Sequence, residues 1–186
     1  MSDQPQDQLS VLKLVTGRLD AAGIPHMITG SIAAGHYGQP RMTRDIDIVV
    51  QLEPADATRL ADVLGDEFGA DPDTIRDAIS RRGLFNVIHR EAIVKVDFVV
   101  RKNADYRIEE FGRRRRVVVD GHPLWMVAPE DLVLSKLVWA QDSRSELQLR
   151  DVRSVLTFQQ AALDRPYLDR WAIRLSVDDL LREVES

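Results

Sequence analysis

The sequence predicts an α+β fold, in which a mixed β-sheet core flanked by helices is followed by a C-terminal helical bundle. Stretches with strand-like alternation, separated by tight-turn residues, occur only before Ala128. From Pro129 onward, apolar residues recur at helical spacing. We therefore divide the 186 residues into 1–127, a core with an N-terminal helix, and 128–186, a helical region packed on that core.

Each element of this fold follows from local spacing or turn chemistry. An N-terminal helix is predicted because Leu9, Leu12 and Val15 share one face, and Gly23 then ends the pattern. Strands are predicted at 26–29, 45–50, 84–89, 93–100, 114–119 and 123–127, and core helices at 32–37, after Pro54 and at 72–79. The tail is predicted to form helices at about 129–142, 145–158, 165–175 and 177–184.

Composition excludes several kinds of site. The chain has 25 Lys and Arg against 30 Asp and Glu, a net charge of −5, so contact with nucleic acid requires a local basic patch. There is no cysteine, which excludes disulfides, thiolate metal ligands and cysteine nucleophiles. The four histidines are scattered, so a metal would be held by oxygen ligands.

The N-terminal residues are polar and acidic, unlike the basic start and apolar run of a signal peptide. No stretch approaches the roughly 18 consecutive apolar residues of a membrane-spanning helix. We therefore expect a cytoplasmic protein without membrane contact.

Asp45 and Asp47 form the first candidate for a chemical site. In a strand, side chains at i and i+2 share a face about 7 Å apart, so the two carboxylates point the same way beside an apolar layer. A divalent cation such as Mg²⁺ or Mn²⁺ would relieve their repulsion. For this short motif alone, the favoured interpretation is a solvated strand end whose aspartates cap backbone N–H groups.

Two further features bear on that choice. Gly30-Ser31 lies at a strand-to-helix turn, where a phosphate can approach the backbone, although such a pair is most often a plain turn and helix cap. Asp97 interrupts an apolar strand, which is costly unless the carboxylate is paired. An ion pair with Lys95, on the same face, is the alternative to a metal-binding role.

These residues together resemble the polymerase-beta-type nucleotidyltransferase superfamily over most of residues 26 to 100. The resemblance is carried by Gly30-Ser31, the basic loop Arg41-x-x-Arg44, Asp45-Ile46-Asp47 and the later strand residue Asp97. It implies that the three aspartates hold Mg²⁺ or Mn²⁺ on a nucleoside triphosphate, with Asp97 nearest the acceptor hydroxyl. It also implies that Gly30 and Ser31 contact the nucleotide, and that pyrophosphate is released. Arg44 adjoins Asp45 and is a candidate for a phosphate contact; the alternative is that Arg41 and Arg44 neutralise the aspartates in the empty protein.

The tail is similar to AbiEii-type toxin nucleotidyltransferases in the motifs Glu130-Asp131-Leu132-x-x-x-Lys136-Leu137 and Gln148-Leu149-Arg150-Asp151-Val152-Arg153. The resemblance implies that Lys136 grips phosphate and that Asp151 positions groups in the site. From spacing alone, an ion pair between them that braces two helices is equally compatible. Ser154 stands where the family usually has an acid, and Arg150 where it has lysine, so the resemblance does not settle the acceptor.

Two other features have competing interpretations. The run Arg113–Arg116 would either contact an RNA backbone or form a solvated sheet edge, the commoner case. The tryptophans Trp125, Trp139 and Trp171 lie in apolar contexts and are predicted to belong to the core.

The sequence thus predicts a metal-dependent nucleotidyltransferase acting on RNA, with tRNA as the first choice, in which an AbiEii-like toxin would have a cognate antitoxin partner. The nearest alternative is the same chemistry on a small molecule such as an aminoglycoside, which would require an acidic acceptor pocket. A catalytically silent nucleotide-binding module of a two-protein complex is the third interpretation, and the three aspartates argue against it.

Overall fold

The computed structural model describes residues 7–186, apart from the side chain of Asp142. The polar residues 1–6, which contributed to the expected cytoplasmic location, lie outside this range. The helices are α1 (Gln8–Ala21), α2 (Gly30–Tyr37), α3 (Asp56–Leu64), α4 (Pro72–Ser80), α5 (Asp105–Gly112), α6 (Pro129–Ser143), α7 (Glu146–Gln159), α8 (Arg165–Arg174) and α9 (Asp178–Glu185). The strands are β1 (His26–Ile28), β2 (Asp45–Val50), β3 (Leu84–His89), β4 (Val94–Val100), β5 (Arg115–Val119) and β6 (His122–Met126).

The strands form one mixed sheet with the order β3-β4-β2-β1-β6-β5. The pairs β2–β4 and β1–β6 are parallel, whereas β1–β2, β3–β4 and β5–β6 are antiparallel. Helices precede, interrupt and follow these strands, so the predicted α+β class is confirmed.

The central strands separate an apolar face from a polar one. In β2, Ile46, Ile48 and Val50 are fully buried in the core. Their side chains alternate with Asp45 and Asp47, which therefore lie on the opposite face of the sheet, as the strand pattern predicts.

The helix α5 was not predicted. Its buried stripe contains the charged residue Glu110 between the apolar Tyr106 and Phe111, which hides the helical spacing. Glu110 accepts hydrogen bonds from Arg107 Nη1 (2.8 Å) and from Ser135 Oγ of α6 (2.6 Å), so its buried carboxylate is satisfied. Those partners become visible only once the chain is folded.

The four tail helices form near their predicted bounds, but one core prediction is wrong. Trp171 is buried, whereas Trp139 is 73% exposed, because it lies outside the α6 stripe that includes Leu137 and Ala140. Trp125 is half-buried. None of the helices within residues 7–186 is long and apolar enough to cross a membrane.

A buried polar network joins the start of α6 to α8. Glu130 and Asp131 are both fully buried. The Tyr167 hydroxyl donates to Asp131 Oδ1 (2.5 Å), and the backbone N–H of Asp164 donates to Glu130 Oε1 (2.9 Å). Packing between these helices therefore depends on satisfied buried charges as well as on apolar contacts.

Candidate active site

The turn between β1 and α2 is shaped around Asp47. Gly30 has φ +63°, and a Cβ at this position would lie 2.6 Å from Asp47 Cγ and 2.9 Å from Asp47 Cβ. The preceding Thr29 donates its backbone N–H to the Asp47 carbonyl oxygen (3.0 Å). Glycine is therefore required at position 30 both by the left-handed backbone and by the closeness of β2.

Asp47 and Asp97 are register partners on the parallel strands β2 and β4, so their side chains share one face. Asp97 is only 9% exposed, and its Oδ1 is buried with no hydrogen-bond partner among the described residues. Burial raises the pKa of Asp47 above its usual value, and the negative charge of Asp97 raises it further. A cation would stabilise this pair of crowded carboxylates.

Lys95 lies between the carboxylates of Asp45 and Asp97. Its Nζ is 2.8 Å from Asp97 Oδ2 and 3.9 Å from Asp45 Oδ2. The hydrogen bond to Asp97 raises the pKa of Lys95. The ion pair that competed with a metal role for Asp97 is therefore present. Within residues 7–186, no three Asp, Glu or His side chains converge into a ready-made metal cluster.

A second group of charges lies on α6, α7 and the loop after α2. Lys136 Nζ donates to Asp151 Oδ2 (2.9 Å) and to Gln148 Oε1 (2.8 Å). Arg41 donates through Nε and Nη2 to the two oxygens of Asp151 (3.1 Å each), and Nη2 also donates to Ser31 Oγ. Arg41 thus connects α7 to the glycine turn.

Electrostatics links the two groups of charges. Burial by itself would raise the pKa of Asp151, but hydrogen bonds from Arg41 and Lys136 hold it below the usual value. Burial lowers the pKa of Lys136, which is 5% exposed, although both Asp151 and Asp47 oppose the change. Arg41 also connects Asp151 to Ser31, the neighbour of Gly30, whose turn lies against Asp47, so the aspartates and the cations adjoin.

The structure therefore brings together most of the predicted site residues. They are Gly30, Ser31, Asp45, Asp47, Asp97, Lys136 and Asp151. Arg44, which directly precedes Asp45, is exposed and lines a cavity of about 290 Å³ together with Gln8 and Ile93. Arg41, the other arginine of the basic loop, is the one that contacts Ser31 and Asp151. Nothing in the spacing of the loop distinguishes the two arginines.

Ser154, the departure from the family motif, has a structural role. Its Oγ accepts the backbone N–H of Gln39 (2.6 Å), just after the end of α2. A Cβ at Gly38 would lie 2.5 Å from the same Oγ. The larger side chain of an aspartate or glutamate at position 154 would therefore crowd Gly38.

The basic run Arg113–Arg116 is paired within the chain. Its first arginine contacts Glu130 (3.1 Å) and Asp131 (3.0 Å), its third contacts Glu130 (3.4 Å), and its fourth contacts Asp20 (3.1 Å). The charges that suggested an RNA-binding surface are therefore largely neutralised by neighbouring helices.

Comparison with known proteins identifies a matching protein family. The model of a protein family described as "Nucleotidyl transferase of unknown function (DUF2204)" matches residues 8–185. No curated protein gives a significant match.

Three solved structures share the fold. The crystal structure of ANT(2'')-Ia in complex with adenylyl-2''-tobramycin has a TM-score of 0.56 at 14% identity, covering 96% of this chain and 99% of that one. The solution structure of the antibiotic-resistance factor ANT(2'')-Ia gives 0.58 at 12% identity, covering 95% and 96%. A candidate nucleotidyltransferase from Thermotoga maritima gives 0.52 at 16% identity, covering 76% and 90%. The family match spans nearly the whole chain, and the chain belongs to this nucleotidyltransferase family.

Proposed function

We propose that the chain uses Mg²⁺ or Mn²⁺ to transfer a nucleoside monophosphate from a nucleoside triphosphate to an acceptor hydroxyl. The observation that carries this proposal is the pairing of Asp47 with Asp97 beneath the Gly30 turn, where Asp97 Oδ1 has no partner in the described part of the chain. Carboxylate oxygens suit these ions. Asp47 and Asp97 would hold the ion together with Asp45, and the bound ion would offset charge on the phosphate oxygens.

The other residues of the site fit the remaining parts of the reaction. Ser31, in the first turn of α2, and the cations Arg41 and Lys136 would bind the triphosphate, because helix N-termini and buried ammonium or guanidinium groups favour anions. The acceptor oxygen would attack the α-phosphorus as the bond to pyrophosphate breaks. Asp97 would accept the hydroxyl proton.

For the acceptor we propose RNA, with tRNA as the first candidate. A cavity of about 170 Å³ opens beside the site, and its lining includes Arg150 together with Arg41 and its ion-pair partner Asp151. Because Asp151 offsets the charge of Arg41, Arg150 leaves this opening with a net positive charge, which favours an anionic chain. This support replaces Arg113–Arg116, whose charges are paired. An AbiEii-like toxin role with a cognate antitoxin partner is proposed on the tail motifs alone.

A small-molecule acceptor is the second candidate. Its support is the shared fold with ANT(2'')-Ia, which was crystallised with adenylyl-2''-tobramycin. At the opening described above, a polycationic aminoglycoside would meet Arg150 and the Arg41–Asp151 ion pair, which together carry a net positive charge and disfavour it.

Label transfer tests both the chemistry and the acceptor. The protein is incubated with each α-³²P-labelled nucleoside triphosphate and Mg²⁺ or Mn²⁺, in separate reactions with total tRNA and with tobramycin. We expect labelled tRNA from the wild type and from the surface control Asp73→Ala, and none from Asp47→Ala or without divalent metal. Transfer by Asp47→Ala would overturn the site assignment, and labelled tobramycin with unlabelled tRNA would reverse the order of acceptors.

A further inference from the structure

The ammonium group of Lys95 lies between the carboxylates of Asp45 and Asp97. Lys95 Nζ lies 2.8 Å from one carboxylate and 3.9 Å from the other. Its side chain is 39% exposed, so solvent is open to it along a flexible stem. A divalent ion bound to the same carboxylates would share this space.

Lys95 satisfies Asp97 only in part. It contacts Oδ2, while Oδ1 of the same carboxylate remains buried and unpartnered among residues 7–186. Ion pairs with a solvent-exposed partner are weak. A divalent ion can bind both oxygens of a carboxylate and carries twice the charge, so it has the means to displace the ammonium.

The second lysine of the site provides a contrast. Lys136 is 5% exposed and donates to both Asp151 and Gln148, which hold it in place. Ile88, the register partner of Lys95 on the edge strand β3, is itself 49% exposed and offers no comparable enclosure. Of these two ammonium groups, Lys95 is the one free to leave.

We propose that Lys95 is an exchangeable counter-cation, which neutralises Asp45 and Asp97 in the absence of metal and leaves Asp97 when a divalent ion binds. This inference rests on the metal site of the proposed function. When the metal binds alone, the displaced ammonium of Lys95 loses its anionic partner and stays close to the positive charge of the ion, and both effects weaken metal binding. The triphosphate supplies negative charge for the released ammonium, so metal and nucleotide bind cooperatively.

Mn²⁺ binding tests the exchange without relying on turnover. The Mn²⁺ dissociation constant is measured by the spin-resonance signal of the free ion, with and without the α,β-methylene analogues of ATP, GTP, CTP and UTP in turn. Lys95→Gln should bind Mn²⁺ alone about fivefold more tightly than the wild type, the ratio expected for losing one exposed ion pair. The factor by which the best analogue increases Mn²⁺ affinity should be smaller in Lys95→Gln than in the wild type, by a similar fivefold ratio.

Two variants guard the interpretation. Lys13→Gln removes a surface lysine paired with Asp120 and should behave as the wild type. Lys95→Arg keeps the charge and should keep the weak Mn²⁺ affinity, so it tests the exchange even if Lys95→Gln does not fold. In EDTA the melting temperature of Lys95→Gln should be lower than that of the wild type, and added Mn²⁺ should raise it again.

The outcomes separate the two levels of the proposal. Equal Mn²⁺ affinity in the wild type and Lys95→Gln, or tight binding by Lys95→Arg, would overturn the exchange and leave the metal site standing. Mn²⁺ binding by the wild type that persists in Asp47→Ala would overturn the proposed metal site itself, and the role of Lys95 with it.

Discussion

Replacing Gly30 by alanine should damage the site through two separable effects. At φ +63° an L-residue costs about 1–2 kcal/mol, which lowers the free energy of unfolding by that amount. The added Cβ also lies 2.9 Å from Asp47 Cβ, and rotation of the aspartate side chain cannot relieve that contact. The turn or β2 must therefore shift, and overpacking of this kind costs about 1–3 kcal/mol more.

Gly23 provides the matched control for this experiment. It has φ +65°, and nothing lies within 4 Å of a Cβ built on it. Gly23→Ala should therefore lose about 1–2 kcal/mol and keep full function, because it pays only the backbone cost. Gly30→Ala should lose about 2–5 kcal/mol and, for a displacement of Asp47 approaching 1 Å, about a hundredfold in transfer rate.

Urea denaturation followed by circular dichroism gives the stabilities, and label transfer together with Mn²⁺ binding gives the function. If Gly30→Ala matched Gly23→Ala in stability and the wild type in both functional measurements, the close approach of the turn to Asp47 would have no consequence. The argument that Gly30 shapes the site would then be refuted.

Three further predictions concern stability, and urea denaturation measures each of them. Asp151→Asn leaves the buried Lys136 without its anion and should lower the free energy of unfolding by about 3–5 kcal/mol. The double variant with Lys136→Met should recover part of that loss. A loss below about 1 kcal/mol in Asp151→Asn would contradict the buried ion pair. Burial raises the pKa of Asp131 from 3.8 to about 6, so the folded state binds this proton more tightly. The protonated Asp131 therefore contributes fully to the free energy of unfolding below about pH 4, and this contribution is lost as the pH rises through about 6. In Asp131→Asn the free energy of unfolding should fall by about 2–3 kcal/mol less over this pH range than in the wild type. Identical pH profiles of stability for the two proteins would refute this. Trp139→Ala should change stability by less than about 0.5 kcal/mol and Trp171→Ala by about 3–5 kcal/mol, and equal losses would contradict their different exposure.

Sequence patterns predicted the elements whose signals are local. The alternation of β2 and the helical spacing of the tail depend on residues close in the chain, so both could be recognised without a structure. Asp97 could be singled out as a candidate because an acid inside an apolar strand is costly unless it is paired. Asp45 and Asp47 alone favoured a solvated strand end, and they became candidates for a metal site only together with the other motifs of the resemblance.

What the sequence could not show depends on partners distant in the chain. Glu110 made α5 look polar because its partner Ser135 lies on another helix. Arg41 could not be preferred over Arg44 until α7 brought Asp151 beside it. Trp139 was assigned to the core because its neighbours are apolar, but the direction in which it points is set by helix packing.

The buried acids at the start of α6 bear on whether the chain can be divided. A cut after residue 127 would separate Arg113 from Glu130 and Asp131, its partners across the boundary. The tail fragment would then carry two buried carboxylates without a cation, and the core fragment would expose the surface they cover. We therefore expect that neither fragment folds when expressed alone, and that the two recover structure only when mixed. The boundary near Ala128 would then mark a change of secondary structure rather than a point at which this enzyme can be taken apart.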